Sequence, residues 1–219
     1  MSALPERAAA GLTAATEWRL LALLLSRPRP GWHEEVAALA VDGDQGLRRA
    51  AAAAAGAGEG PYHALLGAGG VASPREAAQG GFTDPGRILA DLAAFYGAFG
   101  FQPDGQEPDD HLAVECDFVA YLHLKEAYAL AGGQGNAGEV TREARRRFLR
   151  EHLAASGHRL ATRLPPDAPA YLRCAAEALA SRLPAAPPAP AAGCPSVDPL
   201  DGGCPMAGDC GLPAGGLEG

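Results

Sequence analysis

Residues that favour β-strands are scarce in this chain of 219 residues. It has a single isoleucine, Ile88, together with seven valines and five threonines. Because β-branched side chains are the ones that pack well on a pleated sheet, we do not expect a sheet-based fold. Alanine, leucine and arginine, which are good helix formers, dominate instead. The composition therefore predicts an all-α protein.

Positive charge is also limited. Lys125 is the only lysine, and the formal net charge at pH 7 is -8. An acidic chain is poorly suited to nucleic acid or to an anionic membrane surface. We interpret the basic run TREARRRFLREHL as a solvated helix face, because its one aromatic residue, Phe148, is on the inner side with Leu149 and Leu153, and we expect no nucleic-acid partner. The arginines of this run are Arg142, Arg145, Arg146, Arg147 and Arg150.

Long apolar runs are missing too. Near the N-terminus the apolar run extends only from Leu20 to Leu25, with Glu17 and Arg19 just before it, so the layout of a secretory signal is absent. No segment approaches the about 20 apolar residues of a membrane helix. The five cysteines are unevenly spaced, which does not suggest a disulfide framework. We expect a cytoplasmic protein without membrane insertion.

Apolar residues at helical spacing predict a series of amphipathic helices. Thr13 or Thr16 is the expected cap of the first, which ends near Ser26, and Asp84-Pro85 is the expected start of another. The glycine-rich residues 67 to 81 are expected to form a loop. After the first helix, the predicted helices cover residues 32–40, 45–55, 84–99, 108–131, 139–156 and 167–183.

The composition changes after Leu183. Residues 184–219 contain eight prolines and eight glycines, and such a segment cannot supply a packed core. We expect residues 1–183 to form one helical domain and residues 184–219 to be an extended or disordered tail. The tail has three cysteines without a Cys-x-x-Cys pair, and its thiols are candidate ligands for zinc, copper(I) or an iron–sulfur species. They are Cys194, Cys204 and Cys210.

The stretch EPDDHLAVECDFVAYL, residues 107 to 122, concentrates three acids and a histidine ahead of an apolar run. Pro108 suits a first helical position, and Asp109 and Asp110 would then lie in the first turn, where the helix dipole favours negative charge. Helical spacing places four of the following residues on one face, which we expect to face the core. These are His111, Glu115, Phe118 and Leu122.

Two chemical readings of this stretch have little support. An Asp110–His111 general-base pair would need a nucleophile or a cofactor motif, and the chain has no Gly-x-Ser-x-Gly elbow, phosphate-binding loop or dinucleotide fingerprint. A metal held by His111, Glu115 and His123 would lack the His-Glu-x-x-His spacing of zinc hydrolases. We predict no enzyme, no catalytic residue and no metal site outside the tail.

The residues Glu107-Pro108-Asp109-Asp110-His111-Leu112, followed by Glu115, Phe118 and Leu122, resemble the signature of the TorD/DmsD/NarJ family. These proteins are dedicated maturation chaperones of molybdenum oxidoreductases. Three further segments agree with the family in order and spacing: LLALLLSRP, LAAFYGAFGF and FLREHL. The resemblance covers roughly residues 14 to 183, and the cysteine-bearing tail is not part of it.

The resemblance implies a helical bundle that is not an enzyme. Such a protein binds the twin-arginine leader of the apo catalytic subunit of a DMSO-reductase-type molybdoenzyme, delays its export and assists insertion of the molybdenum cofactor. It implies no stably bound cofactor; any contact with molybdopterin guanine dinucleotide or GTP would be transient. A monomer and a homodimer both fit the family.

The resemblance also implies a site. The leader-binding residues of the family include the Pro and the Asp-His of its motif, here Pro108, Asp110 and His111. Their neighbours Glu107, Asp109 and Glu115 are inferred from position, and the groove aromatics correspond most nearly to Phe95, Tyr96 and Phe99.

One alternative stays open, namely an assembly factor that handles a metal or an iron–sulfur cluster through the tail cysteines. Deleting residues 184–219 would separate the two hypotheses, because a leader binder keeps its affinity and a metal handler loses its metal.

Overall fold

A computed structural model of the chain describes residues 4–78 and 84–185. Within them the backbone forms nine α-helices and no strand, which confirms the predicted all-α class. The predicted tail from residue 186 onward, with Cys194, Cys204 and Cys210, lies outside the described residues. The helices are α1 (Glu6–Leu25), α2 (Trp32–Leu39), α3 (Gln45–Ala53), α4 (Glu59–Leu66), α5 (Pro85–Phe99), α6 (Leu112–Ala131), α7 (Gly135–Phe148), α8 (Ala154–Arg163) and α9 (Ala170–Arg182).

Helices α1 and α6 form the centre of the fold. They run antiparallel, since Arg19 near the end of α1 contacts Asp117 near the start of α6, with Nη1 2.6 Å from Oδ2. Gly11 in the first half of α1 contacts Ala127 near the end of α6. A Cβ atom built on Gly11 would lie 3.1 Å from the Cβ of Ala127, so a small residue is needed there for the two backbones to approach. All six residues from Leu20 to Leu25 are buried.

Helix α1 has the length and mean hydropathy of a membrane span. The expectation that no segment reaches this length is therefore wrong for α1, because alanines before Glu17 extend the short apolar run into a 20-residue helix. Half of its 18-residue apolar window is buried within the fold. Core helices of soluble proteins pass the same test of length and composition.

The predicted start of α1 is wrong. Thr13 and Thr16 do not cap the helix, because each hydroxyl donates to the carbonyl four residues earlier, Ala9 at 3.4 Å and Leu12 at 3.2 Å. The helix begins at Glu6 instead, directly after Pro5. Helix α4 was not predicted.

The helical segment that begins with α7 continues beyond the predicted end near Ser156. A π-helical turn, Leu149–Leu153, joins it to α8, so the chain stays helical from Gly135 to Arg163. The arginines of α7 are paired with acids. Arg146 and Arg147 are more than half exposed and contact Glu143 and Glu151, as expected for a solvated helix face. Arg145 differs from that prediction, because its side chain is only 15% exposed and its Nη2 lies 2.7 Å from Oε2 of the nearly buried Glu126.

Candidate functional site

The motif loop, residues 107–111, precedes α6 instead of opening it. The prediction that Pro108 is the first helical residue is wrong, because His111 is the N-cap and Leu112 the first residue of the helix. The backbone of the loop is instead paired with a segment from before α5. Asp109 and Asp110 therefore lie outside the first turn, and their charges need another explanation than the helix dipole.

A short segment that we call the strap, residues 73–78, lies along this loop. Arg75 and His111 form an isolated antiparallel bridge. The Glu76 N–H donates to the Asp110 carbonyl at 2.8 Å, and the Leu112 N–H donates to the Pro74 carbonyl at 2.9 Å. The strap thus pairs with the motif loop as a strand would, although no sheet forms in the described part of the chain.

Asp110 is fully buried, and its carboxylate is engaged by the strap. Nε and Nη2 of Arg75 each lie 2.9 Å from Oδ1 of Asp110. The Ala77 N–H donates to Oδ2 at 3.2 Å. The Arg75 side chain is 45% exposed and that of Asp110 is 0% exposed. The guanidinium therefore lies on the solvent side of the pair and the carboxylate on the buried side.

His111 is also buried, and it links three elements. Its Nδ1 accepts from the Ala113 N–H at 3.1 Å, and its Nε2 lies 3.1 Å from Tyr62 Oη. Tyr62 Oη in turn donates to the Leu25 carbonyl at 3.2 Å. This pattern requires the neutral tautomer with the proton on Nε2. Burial lowers the pKa of His111 to about 4, which agrees with a neutral ring.

Glu115 lies one turn into α6 and is fully buried. Among the described residues, neither of its carboxyl oxygens has a hydrogen-bond partner. Burial, together with the negative charges of Glu76 and Asp110, raises the pKa of Glu115 well above its ordinary value. Glu115 is thus a second buried carboxyl, close enough to Asp110 for their charges to interact.

Glu76 extends this group of carboxyls to the π-helical turn. Its Oε2 lies 3.0 Å from Nδ1 of His152, and both side chains are nearly buried. The strap is thus tied at one residue to the motif loop and at the next to the turn between α7 and α8. Neither Arg75, Glu76 nor His152 was predicted as a site residue.

The outer part of the motif loop faces solvent. Pro108 and Asp109 are exposed, and Glu107 is half-buried. Glu107 Oε1 accepts from the Arg27 N–H at 3.1 Å, which ties the loop to the segment after α1. Of the acids predicted to contact a partner, only Asp109 is freely accessible in this conformation.

The predicted aromatic residues belong to a cluster under the loop. Tyr96 is buried and donates from Oη to the Asp109 carbonyl at 2.8 Å. Its ring packs on Phe118 at a centroid distance of 4.9 Å, and Phe99 packs on Phe118 at 6.2 Å. Phe95 meets His152 at 5.4 Å. These rings support the loop and the π-helical turn, and Phe95 and Phe99 are partly exposed.

A small cleft of ≈ 50 Å³ lies between the end of α1, residues 101–107 and the start of α6. Its volume is well below the roughly 300–1,000 Å³ of small-molecule sites. Charges of both signs line it. The basic residues are Arg19, Arg27 and Arg29, and the acidic ones are Asp104, Glu107 and Asp117.

An apolar stripe on the outer face of α6 begins beside this cleft. The Phe101 ring, which lines the cleft, lies 5.5 Å from that of Tyr121. Leu124 and Tyr128 follow at intervals of three and four residues, so the three α6 side chains share a face. Leu124 is 48% exposed and Tyr128 is 80% exposed. We call Tyr121, Leu124 and Tyr128 the α6 stripe.

The described residues contain no group of three or more His, Cys, Asp or Glu side chains arranged to hold a metal ion. Burial lowers the pKa of His123 to about 3. The tail cysteines lie outside the described residues.

Comparison with known proteins gives two matches. Residues 66–161 match the nitrate reductase delta subunit family. The chain is also 43% identical over 70 residues to the "selenate reductase assembly chaperone protein" of Thauera selenatis. This second match covers 31% of this chain and 35% of the relative, so the chain spans about a third of the length of the curated relative it matches. No solved structure matches the chain significantly.

Proposed function

We propose that this chain is a maturation chaperone of the TorD/DmsD/NarJ type and that it binds the twin-arginine leader of the apo catalytic subunit of a DMSO-reductase-type molybdoenzyme. Its similarity to the nitrate reductase delta subunit family and to a selenate reductase assembly chaperone supports the proposal. The observation that carries the proposal is the position of the family match. Residues 66–161 include the strap, the motif loop and the whole α6 stripe. The chaperone would act in the cytoplasm, before export, and would not be an enzyme.

The chemistry of such a leader suits this surface. A twin-arginine leader has two guanidinium groups followed by a modestly apolar stretch. Carboxylates bind arginine through strong, paired hydrogen bonds, and carboxyl groups are concentrated around the motif loop. An exposed apolar helix face can receive the apolar stretch, and the α6 stripe supplies such a face.

The chaperone would assist cofactor insertion by acting on the client subunit, without itself holding the cofactor. The cleft beside the motif loop, ≈ 50 Å³, is too small to enclose a molybdopterin guanine dinucleotide, given the roughly 300–1,000 Å³ of sites for small molecules. A larger pocket of ≈ 360 Å³ is lined by residues of α2 and by alanines of and after α3, and no arginine or lysine lines it to receive the phosphates of the cofactor. We therefore propose that the chaperone holds the apo subunit open and unexported while the cofactor enters it. Contact with the cofactor itself would be transient.

Calorimetry with a synthetic twin-arginine leader tests the stripe. Leu124→Ser and Tyr128→Ser together should weaken the Kd about a hundredfold or more, since each buried apolar side chain is worth roughly 1.5–3 kcal/mol and each ~1.4 kcal/mol changes the Kd tenfold. The matched control is Val41→Ser, because Val41 is also an exposed apolar residue, at 73%, and follows α2. Equal loss in both variants, or in neither, would contradict a specific role of the stripe.

The client is identified by co-purification. The tagged chain should retain the precursor of a molybdoenzyme from cells that express it, and a leader with both arginines changed to lysine should be retained poorly. Recovery of no twin-arginine precursor, together with no binding of the synthetic leader, would refute leader binding.

A further inference from the structure

The Arg75 guanidinium contacts Asp110 as a bound ligand would contact its site. A guanidinium that is 45% exposed binds a carboxylate that is 0% exposed. The Nε group lies 2.9 and 3.2 Å from the two carboxylate oxygens, and Nη2 lies 2.9 Å from the first. Planar, multiply bonded recognition of this kind is specific for guanidinium over ammonium.

The site has one carboxyl group more than Arg75 contacts. Glu115, whose charge would interact with that of Asp110, is fully buried, and neither of its oxygens has a hydrogen-bond partner among the described residues. A native fold rarely leaves such a group unpaired without a functional reason. Removing the strap would withdraw Arg75 and Glu76 together. The carboxyls of Asp110 and Glu115 would remain, two groups for two guanidiniums.

The strap is held mainly by contacts that an extended peptide could reproduce. Its backbone bonds to the motif loop are those from the Glu76 N–H to the Asp110 carbonyl and from the Leu112 N–H to the Pro74 carbonyl. The Ala77 N–H adds one bond to the Asp110 carboxylate. A peptide that pairs as a strand can form equivalent main-chain bonds. Exchange of one segment for the other would therefore keep the main-chain pairing and lose the contact between Glu76 and His152.

From these contacts we propose that Arg75 is an internal substitute for an arginine of the client leader. In the free protein the strap fills a guanidinium site built on Asp110 and Glu115. The arriving leader displaces the strap, places its arginines on these carboxyls and pairs with the motif loop. The identity of the peptide rests on the proposed function; the guanidinium site does not.

The first experiment tests the site without any leader. In Arg75→Ala the site is empty, so methylguanidinium should raise the melting temperature, and methylammonium at the same concentration should not. At ten times its Kd, methylguanidinium shifts the folding equilibrium about tenfold. The wild type and the control Arg87→Ala should respond to neither salt in this way, because Arg75 fills the site in both and the Arg87 side chain is exposed at the surface.

An equal response of Arg75→Ala to both cations, or an equal response of the wild type to methylguanidinium, would overturn the proposal. If Arg75→Ala does not fold alone, recovery of its helical signal by methylguanidinium becomes the readout. Failure of that recovery would count against the site in the same way.

The second experiment uses the wild type and a twin-arginine leader peptide. Hydrogen exchange should speed up at the amides of Glu76 and Ala77 when the peptide binds, since their bonds to Asp110 are lost. Arg75→Ala should bind the peptide more tightly, about tenfold if the strap is open about a tenth of the time in the wild type. A leader with lysines in place of both arginines should gain little from the same substitution.

The outcomes separate the two proposals. Binding with unchanged or slower exchange at Glu76 and Ala77 would overturn strap displacement while leader binding stands. No binding to either protein, with methylguanidinium still complementing Arg75→Ala, would overturn leader binding while the guanidinium site stands.

Discussion

Replacing Glu115 with glutamine should change how the stability of the protein depends on pH. The side chain is fully buried without a hydrogen-bond partner among the described residues, and its pKa is raised well above the ordinary 4.5, first by burial and then by Glu76 and Asp110. In the unfolded chain Glu115 ionises as the pH passes about 4.5, whereas in the folded protein it stays protonated. The wild type is therefore most stable, as far as this group is concerned, below the unfolded pKa.

Above that pKa each further pH unit removes about 1.4 kcal/mol from the free energy of unfolding, until the folded pKa is reached. Glu115→Gln cannot ionise, so this slope should be absent. A buried amide can add a constant offset of roughly 1–3 kcal/mol, but an offset does not alter a slope. Urea unfolding at several values between about pH 5 and 6 measures the difference. Parallel curves for the two proteins would refute the assignment of a buried, protonated Glu115.

Two further predictions concern the motif loop. Asp110→Asn should lower the free energy of unfolding by roughly 1–3 kcal/mol, because it removes the charge that holds the half-exposed Arg75. Asp109→Asn, at an exposed neighbour, should change the free energy of unfolding by less than about 0.5 kcal/mol. Equal effects of the two substitutions in urea unfolding would contradict the burial of Asp110. His111 has its pKa lowered to about 4 in the fold, so its contribution is present above about pH 6.5 and decreases, by on the order of 3 kcal/mol, as the pH falls to about 4. His111→Asn keeps a capping acceptor for the Ala113 N–H but does not titrate, so a series of unfolding curves across this range should lose that pH dependence; an unchanged dependence would mean that His111 is not buried neutral.

The bodies of the helices were predictable, and their ends were less so. Helix α5 begins at Pro85 after the Asp84 cap and ends at Phe99, as predicted, because the capping and breaking residues stand next to a strong apolar period. The start of α6 was placed four residues too early. Pro108 and two acids look like a helix start in isolation, but contacts from the strap hold them in a turn, with the His111 N–H donating to the Pro108 carbonyl at 2.9 Å.

The candidate site divides in the same way. The motif could be found from the sequence because its residues are contiguous, and the shared face of His111 and Glu115 followed from helical spacing. Their partners could not. Arg75 comes 35 residues before Asp110, and Glu76 comes 76 residues before His152. No local pattern marks such pairs, and Arg75 stands in a glycine-rich stretch that reads only as loop.

The sequence alone determined the class of this protein. Scarce β-branched residues, abundant alanine and leucine, and apolar residues at helical spacing decide for helices, since these are local preferences that each segment expresses by itself. Only the tertiary structure decided which of the acids are accessible. Burial depends on what packs from elsewhere in the chain, and it turns Asp110 from an acid expected in the first turn of a helix into a buried carboxylate that is paired with Arg75.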